Sequence, residues 1–131
     1  MCGTVRHTVT FVASPARVFD AYLDSRRQSR ITGLPARMSR RPGARFESGG
    51  GYIHGVNVEI LPGRRIVQAW RGDDWPEGAY SILRLEFRKQ GTGTRLLVDH
   101  RGIPESATRG VARGWHEHFW RPMQRHFRGR R

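Results

Sequence analysis

Cysteine and long apolar runs are nearly absent from this sequence. Cys2 is the only cysteine among 131 residues, which excludes an internal disulfide and fits a reducing, cytoplasmic location. No apolar run approaches the roughly 20 residues of a membrane span, and the N-terminus has no apolar region of the signal-peptide kind. Because repeats and low-complexity segments are also missing, we expect one domain over residues 1–131, with 129–131 as a loose tail.

Lysine and acidic residues are scarce as well. Of the 24 basic residues only Lys89 is lysine, and the formal net charge is +13. The arginines are spread over four stretches of the chain rather than gathered in one motif. This charge predicts weak, non-specific binding of polyanions. Because nearly all of the basic residues are arginine, the positive charge is better explained by coding composition than by a selected binding site. A dedicated nucleic-acid site is therefore not predicted.

Familiar motifs for metal binding and hydrolysis are missing. His116 and His118 lie about 160° apart on a helix, so they cannot chelate one metal, and HEHF is not the HExxH pattern. Neither Ser48 nor Ser81 stands in a GxSxG elbow. No metal and no cofactor are therefore predicted. Catalysis is left open, with a non-enzymatic role favoured.

The first part of the chain predicts a strand followed by two short helices. Residues 5–12 alternate between apolar and polar, as a half-buried strand does. Ser14 suits an N-cap and Pro15 the first position of a helix. A second, polar helix over residues 24–31 ends at Gly33. The apolar side of the first helix consists of Val18, Phe19, Tyr22 and Leu23.

From residue 36 the pattern changes to period two, which predicts antiparallel strands joined by tight turns. The series begins with a short edge piece at Arg37-Met38. The loop over residues 72–79 is too short for a helix and carries Trp75. The other predicted strands cover residues 44–47, 52–60, 65–71, 81–88 and 94–102.

Residues 107–127 predict one long amphipathic helix with an aromatic side. At about 100° per residue, one arc of roughly 160° holds Val111, Trp115, Phe119 and Met123. Gly114 lowers the helix propensity, and Pro122 removes a hydrogen bond and predicts a kink. Such a helix needs a concave partner. The predicted fold class is therefore α+β: a curved antiparallel sheet of about seven strands wrapped around a long C-terminal helix, with two short helices after the first strand.

Several motifs together resemble the START/Bet v 1-like superfamily, also called SRPBCC or helix-grip domains. SPARVFDAYLD after the first strand is similar to the opening of these domains. The hairpin GVNVEILPGRRIVQAWR, the loop DWPEGAYS, the GTR turn and the closing GW....FWRPM narrow the resemblance to the Hsp90-ATPase-activator homologues, the AHSA1-like branch. The resemblance extends over residues 4–127, nearly the whole chain.

This resemblance implies a hydrophobic cavity between the sheet and the helix. Members of the superfamily mostly bind lipids, sterols, polyketides or other apolar ligands, so the leading hypothesis is binding of an apolar or amphipathic small molecule in that cavity. One alternative is a co-chaperone-like interaction module, active in the stress response, with a chaperone or another acidic protein as its partner. The other is an enzyme that acts on a carbonyl or polyketide-like ligand in the same cavity. Monomer and homodimer are both left open.

The predicted cavity lining is apolar and largely aromatic. Trp75 stands in a loop, where no strand packing requires it, and is predicted to act as a lid over the opening. Gly110 and Gly114 lie four residues apart in the last helix, and we expect close packing on the sheet to be their reason. The predicted apolar lining consists of Val56, Val58, Trp70, Trp75, Tyr80, Leu83, Leu85, Phe87, Val98, Trp115, Phe119 and Met123.

Five polar residues are candidates for the same cavity: His54, Asn57, Gln68, His100 and His126. Asn57 and Gln68 orient a ligand if they point inward and are merely solvated if they point outward. For His54 and His100 a structural or solvent role is favoured over that of a general base, since Glu59 and Asp99 fall on the opposite faces of their strands. For His126 a contact with the helix end is favoured over a polar contact at the cavity mouth.

Overall fold

The computed structural model describes residues 2–128. The predicted loose tail at 129–131 lies outside the described residues. Six antiparallel strands form one curved sheet in the order β1-β6-β5-β4-β3-β2, and the C-terminal helix covers one face of it. The elements are β1 (Cys2–Phe11), α1 (Pro15–Leu23), α2 (Ser25–Thr32), β2 (Arg45–Ser48), β3 (Ile53–Leu61), β4 (Arg65–Gly72), β5 (Ser81–Gln90), β6 (Gly93–Pro104), α3 (Thr108–Gly114), the π-helical segment Trp115–Trp120 and α4 (Arg121–Arg128).

The two short helices after β1 form where the sequence places their caps. The side chain of Ser14 accepts a hydrogen bond from the backbone N–H of Arg17, and the side chain of Asp24 accepts one from Arg27. These bonds satisfy N–H groups that a helix start leaves free. Gly33 ends α2 with a φ of 79°, a conformation that glycine adopts without strain. The predicted α+β arrangement and both helices are confirmed.

The predicted edge piece at Arg37-Met38 is reduced to a single bridge between Arg37 and Glu47. Met38 and Ser39 make other hydrogen bonds: the backbone N–H of Met38 donates to Ser25 Oγ at 2.7 Å, and the carbonyl of Ser39 accepts from Asn57 Nδ2 at 2.8 Å. Since these backbone groups are already bonded, the ladder cannot continue here.

In β3 the face that carries the predicted lining residues Val56 and Val58 is turned away from the core. Ile53, Gly55 and Asn57 point to the core, whereas Val56 and Val58 do not, and Val58 is 55% exposed. Gly55 leaves room for the carbonyl of Ala69 and for the ring of Phe46, since a Cβ at Gly55 would clash with that carbonyl and lie only 3.0 Å from the ring. The register shifts between Asn57 and Glu59, so Val58 is the extra residue of a bulge.

The C-terminal helix runs from α3 into α4 through a widened turn. Trp115–Trp120 is π-helical and lies immediately before Arg121-Pro122. Proline in a regular helix clashes with the carbonyl four residues earlier, which here belongs to His118. The turn before Pro122 is π-helical instead, and its last bond runs from the N–H of Arg121 to the carbonyl of His116, five residues earlier. The helix thus continues past Pro122 and keeps its aromatic side on the sheet.

Candidate ligand cavity

A cavity of about 620 Å³ opens at one end of the interface between the sheet and the helix. It lies between α3 on one side and β3, β4 and the loop after β4 on the other. Its floor is buried and mainly aromatic: Ile53, Trp70, Trp75, Trp115 and Phe119. Its rim is exposed and of mixed charge: Asp74, Ser106, Arg113, Glu117 and His118. An apolar floor with a polar rim suits a ligand with an apolar body.

Four of the predicted apolar residues, Trp70, Trp75, Trp115 and Phe119, line this cavity. Five others are buried in the packed remainder of the interface and do not line it: Leu83, Leu85, Phe87, Val98 and Met123. At that end Phe127 of α4 packs against Phe11 of β1 with 6.2 Å between ring centroids, and Phe19 of α1 packs against Phe87 of β5 with 5.5 Å.

Val56, Val58 and Tyr80 lie outside the cavity, which corrects their predicted position. Val56 and Val58 are on the outer face of β3 because the strand turns its other face inward. Tyr80 is 50% exposed, and its ring packs under the guanidinium of Arg71 at 5.7 Å. These three side chains do not contribute to the lining.

Asn57 and Gln68 point inward, and the protein itself satisfies their amides. Tyr22 Oη donates to Gln68 Oε1 at 2.9 Å, and Gln68 Nε2 donates to Asn57 Oδ1 at 3.0 Å. Asn57 Nδ2 then donates to the carbonyls of Ser39 and Arg41. The chain of bonds joins α1, β4 and β3 to the segment before β2, and its amides lie outside the cavity lining. It therefore acts as a buried structural connection.

His100 is fully buried beneath the aromatic floor and belongs to a second chain of hydrogen bonds. Ser81 Oγ donates to the carbonyl of Trp70 at 2.7 Å, so it accepts from His100 Nε2 at 2.7 Å. His100 Nδ1 accepts from Trp115 Nε1 at 3.1 Å. Burial lowers the pKa of His100 to about 3, and the ring is neutral at physiological pH. Because Nε2 carries the proton toward Ser81, His100 cannot activate that hydroxyl as a base.

The other two predicted histidines also lie outside the cavity lining. His54 Nε2 lies 3.5 Å from Asp73 Oδ1 at the surface. His126 is in the last turn of α4, where its ring contacts that of Phe127. Among residues 2–128 no three His, Cys, Asp or Glu side chains converge as metal ligands do.

Tyr52 and Asp74 belong to the cavity and were missed from the sequence. Tyr52 follows the 3-10 turn Gly49–Gly51, and its Oη donates to Asp74 Oδ1 at 2.7 Å, which joins the start of β3 to the loop that carries Trp75. Burial and the Asp74 carboxylate raise the pKa of Tyr52 to about 12. Arg71 Nη2 donates to the carbonyl of Trp75 at 2.7 Å and holds the same loop. The period-two pattern gave no signal for contacts between a turn and a loop.

Gly110 and Gly114 are not packed against the sheet, contrary to the prediction. A Cβ added at Gly110 would meet nothing within 4 Å, and one at Gly114 would meet only the ring of His118 at 3.8 Å. Both glycines line the cavity. Their missing side chains leave open space.

Comparison with protein families gives one matching model, Activator of Hsp90 ATPase homolog 1-like protein, over residues 12–128. The human Activator of 90 kDa heat shock protein ATPase homolog 1 is 26% identical over 118 residues, which are 90% of this chain and 35% of that protein. A homologue from Dictyostelium discoideum is 29% identical over 86% of this chain and 30% of its own length. The chain thus spans about a third of the length of the curated relatives it matches.

Solved structures share the fold. An HSP90 activator from Plasmodium falciparum superposes with a TM-score of 0.84 at 26% identity, over 88% of this chain and 89% of that one. CalU16 from Micromonospora echinospora gives a TM-score of 0.81 at 23% identity, over 97% of this chain and 66% of that one.

None of the helices within residues 2–128 combines the length and the apolar character that a membrane crossing requires.

Proposed function

The chain belongs to the Activator of Hsp90 ATPase homolog 1-like family, and from this premise we propose that it binds an apolar or amphipathic small molecule between its sheet and its C-terminal helix. The observation that carries the proposal is the cavity of about 620 Å³ with its buried aromatic floor. Pockets of roughly 300–1,000 Å³ accommodate small organic ligands. The predicted cytoplasmic location stays a prediction.

Burial of a ligand on this floor supplies the binding energy. The side chains of Trp70, Trp115 and Phe119 are almost completely buried yet have cavity space beside them. Apolar ligand surface removed from water there gains about 25 cal/mol per Å². The rim offers Asp74 and Arg113 to polar groups at the ligand's outer end. An amphipathic molecule would thus enter with its apolar part first.

Native mass spectrometry of the protein purified from its own host tests this proposal, with denaturing extraction to identify what is released. We expect a small-molecule adduct on the wild-type protein. Val111→Trp fills the cavity from α3 and should remove the adduct, whereas Val58→Trp adds the same bulk on the outer face and should retain it. Equal adducts on both variants, or none on the wild-type protein, would contradict the proposal.

A second candidate function is an interaction module for a chaperone, as in the activators to which the chain is similar. The observation that favours it is a basic surface over residues 26–45, which contain seven exposed arginines and no acidic residue. Within the described chain, the one ion pair of this segment joins Arg40 to Asp20. On the outer face of the sheet, by contrast, Asp99 and Glu86 each contact two or more arginines.

The salt dependence of partner capture tests this second candidate. We expect Hsp90 from the same host to be captured at low ionic strength and lost as salt rises. Reversal of charge in α2 by Arg26→Glu with Arg30→Glu should abolish capture, whereas Arg84→Glu with Arg88→Glu on the sheet should weaken it less. Absence of Hsp90 from the low-salt fraction would count against the module.

A further inference from the structure

Gly110 and Gly114 occupy a helix in which glycine is unfavourable. Each glycine in a helix interior costs about 1 kcal/mol relative to alanine, and α3 has only seven residues. The backbone does not require glycine there, since Gly114 has an ordinary helical φ of −61° and ψ of −39°. When a residue lowers the local helix propensity and no feature of the structure requires it, a functional constraint is indicated.

The other described glycines each have a structural reason. Nine have a positive φ, which side chains rarely adopt. At Gly3, Gly55, Gly72 and Gly93 an added Cβ would approach a neighbouring atom to 2.6 Å or less. Gly110 and Gly114 are the two glycines of residues 2–128 with neither reason, and both line the cavity. The two glycines have in common that neither projects a side chain into the cavity.

A second observation lies at the floor of the same cavity. The indole N–H of Trp115 donates to His100, and that of Trp75 lies beside the hydroxyl of Tyr52. Within the described chain neither the Nε1 of Trp75 nor that of Trp70, which is 3% exposed, has a hydrogen-bond acceptor. An unpaired buried donor is costly, about 1–3 kcal/mol, so a ligand acceptor that reached it would be stabilised.

We propose that Gly110 and Gly114 determine which ligand the cavity admits, and that the ligand has an apolar body with one hydrogen-bond acceptor for Trp70. The inference rests on the proposed binding of a small molecule. The two glycines are four residues apart, so the bare wall of α3 is about 6 Å long. The ligand's apolar body lies against this wall, and its acceptor points to the floor.

Substitution by alanine separates this role from a structural one. Gly110→Ala and Gly114→Ala should each raise the melting temperature by about 3 °C, because alanine favours the helix and meets open space. The same variants should weaken the binding of Nile red, an uncharged dye with a carbonyl acceptor, by several-fold. A lower melting temperature would mean that the glycines are structural and would overturn the inference.

Substitution by leucine tests the volume directly. We expect Gly110→Leu and Gly114→Leu to weaken Nile red binding at least tenfold in a fluorescence titration. Arg109→Leu places the same side chain on the same helix outside the cavity lining and should leave binding unchanged. If the wild-type protein bound the dye and the glycine variants bound it equally well, this inference would fail while the proposed function stood. If the wild-type protein bound no dye, both would fail.

The acceptor for Trp70 is tested with a matched pair of tryptophans. Trp120 is also buried with its Nε1 unpaired, but it does not line the cavity. Trp70→Phe should therefore weaken Nile red binding several-fold, and Trp120→Phe should not. Equal affinities of the two variants would overturn the part of the inference that concerns the acceptor.

Discussion

The two ends of the C-terminal helix meet the sheet in different ways. At the end formed by α4, Met123 and Phe127 pack against the core, and the interface around Phe87 is filled. At the end formed by α3, Gly110, Val111 and Gly114 face a cavity. One helix thus closes the core at its C-terminal part and leaves it open at its N-terminal part. The difference follows from side-chain size, because large side chains reach the sheet and glycine does not.

The closed end should contribute stability, and the open end should contribute ligand binding. A filled core loses dispersion contacts and leaves a void when a large side chain is truncated. A side chain that already borders empty space loses far fewer contacts when it is truncated. The following predictions test this separation in order of decreasing effect.

The largest effect is expected for Phe87→Ala at the closed end. Phe87 is buried against Phe19, so its truncation should lower the free energy of unfolding by about 3–5 kcal/mol in urea denaturation. Nile red affinity of the folded variant should stay unchanged. Val58→Ala, on the exposed outer face, is the control and should change stability by no more than about 0.5 kcal/mol. Loss of dye binding by folded Phe87→Ala would show that the two ends are coupled.

Tyr22→Phe should show that the buried amides are structural. The variant leaves Gln68 Oε1 without its donor and should cost about 1–3 kcal/mol in the same denaturation experiment. Since Gln68 and Asn57 are outside the cavity lining, dye affinity should not change. Tyr80→Phe removes an exposed hydroxyl and serves as the control. A neutral Tyr22→Phe would contradict the role of this chain of bonds.

Acid should destabilise the protein through His100. Its pKa is about 3 in the folded protein and near 6.5 in the unfolded chain, so the unfolded chain binds the extra proton between these values. Stability is then complete well above pH 6.5 and falls as the pH drops toward 3, by about 1 kcal/mol at pH 5.5. Urea denaturation at pH 5.5 and pH 8 measures the difference.

A variant isolates His100 from the other histidines. The pKa of His7 is also lowered, by burial and by His116, and contributes with the same sign. His100→Gln carries no titrating ring, so its loss of stability between pH 8 and pH 5.5 should be smaller than that of the wild-type protein. An identical pH dependence in both proteins would show that His100 is not the cause.

The smallest effect is expected at the open end. Val111→Ala removes two methyl groups from a partly buried side chain that borders the cavity, so it should cost less than about 1 kcal/mol. Urea denaturation measures this cost beside that of Phe87→Ala. A loss as large as that of Phe87→Ala would mean that the open end is packed as tightly as the closed one.

The sequence predicted more of the elements than of the site. Ser14, Asp24 and Gly33 bound the short helices in the structure, because capping depends on residues within one turn. For β3 the alternation was visible, but periodicity distinguishes two faces without stating which is buried. Val56 and Val58 favoured the wrong face, since the packing of Phe46 over Gly55 is decided by a neighbouring strand.

The site could be predicted only in part for the same reason. Trp70, Trp75, Trp115 and Phe119 were expected at the cavity, and the structure brings them together there. The link from Tyr52 to Asp74 joins residues 22 positions apart, and no local pattern marks it. Whether Asn57 and Gln68 were free for a ligand depended on Tyr22, which lies on another element.

Local sequence determined which segments became helix or strand and gave the last helix its aromatic side, because hydrogen bonding, capping and side-chain periodicity act over a few residues. Only the tertiary structure decided that the interface is filled at Met123 and empty at Gly110, because a void depends on every side chain that approaches it from other elements. Gly110 lowers the helix propensity of its own segment, and in the folded protein the same residue lines the cavity opposite the sheet.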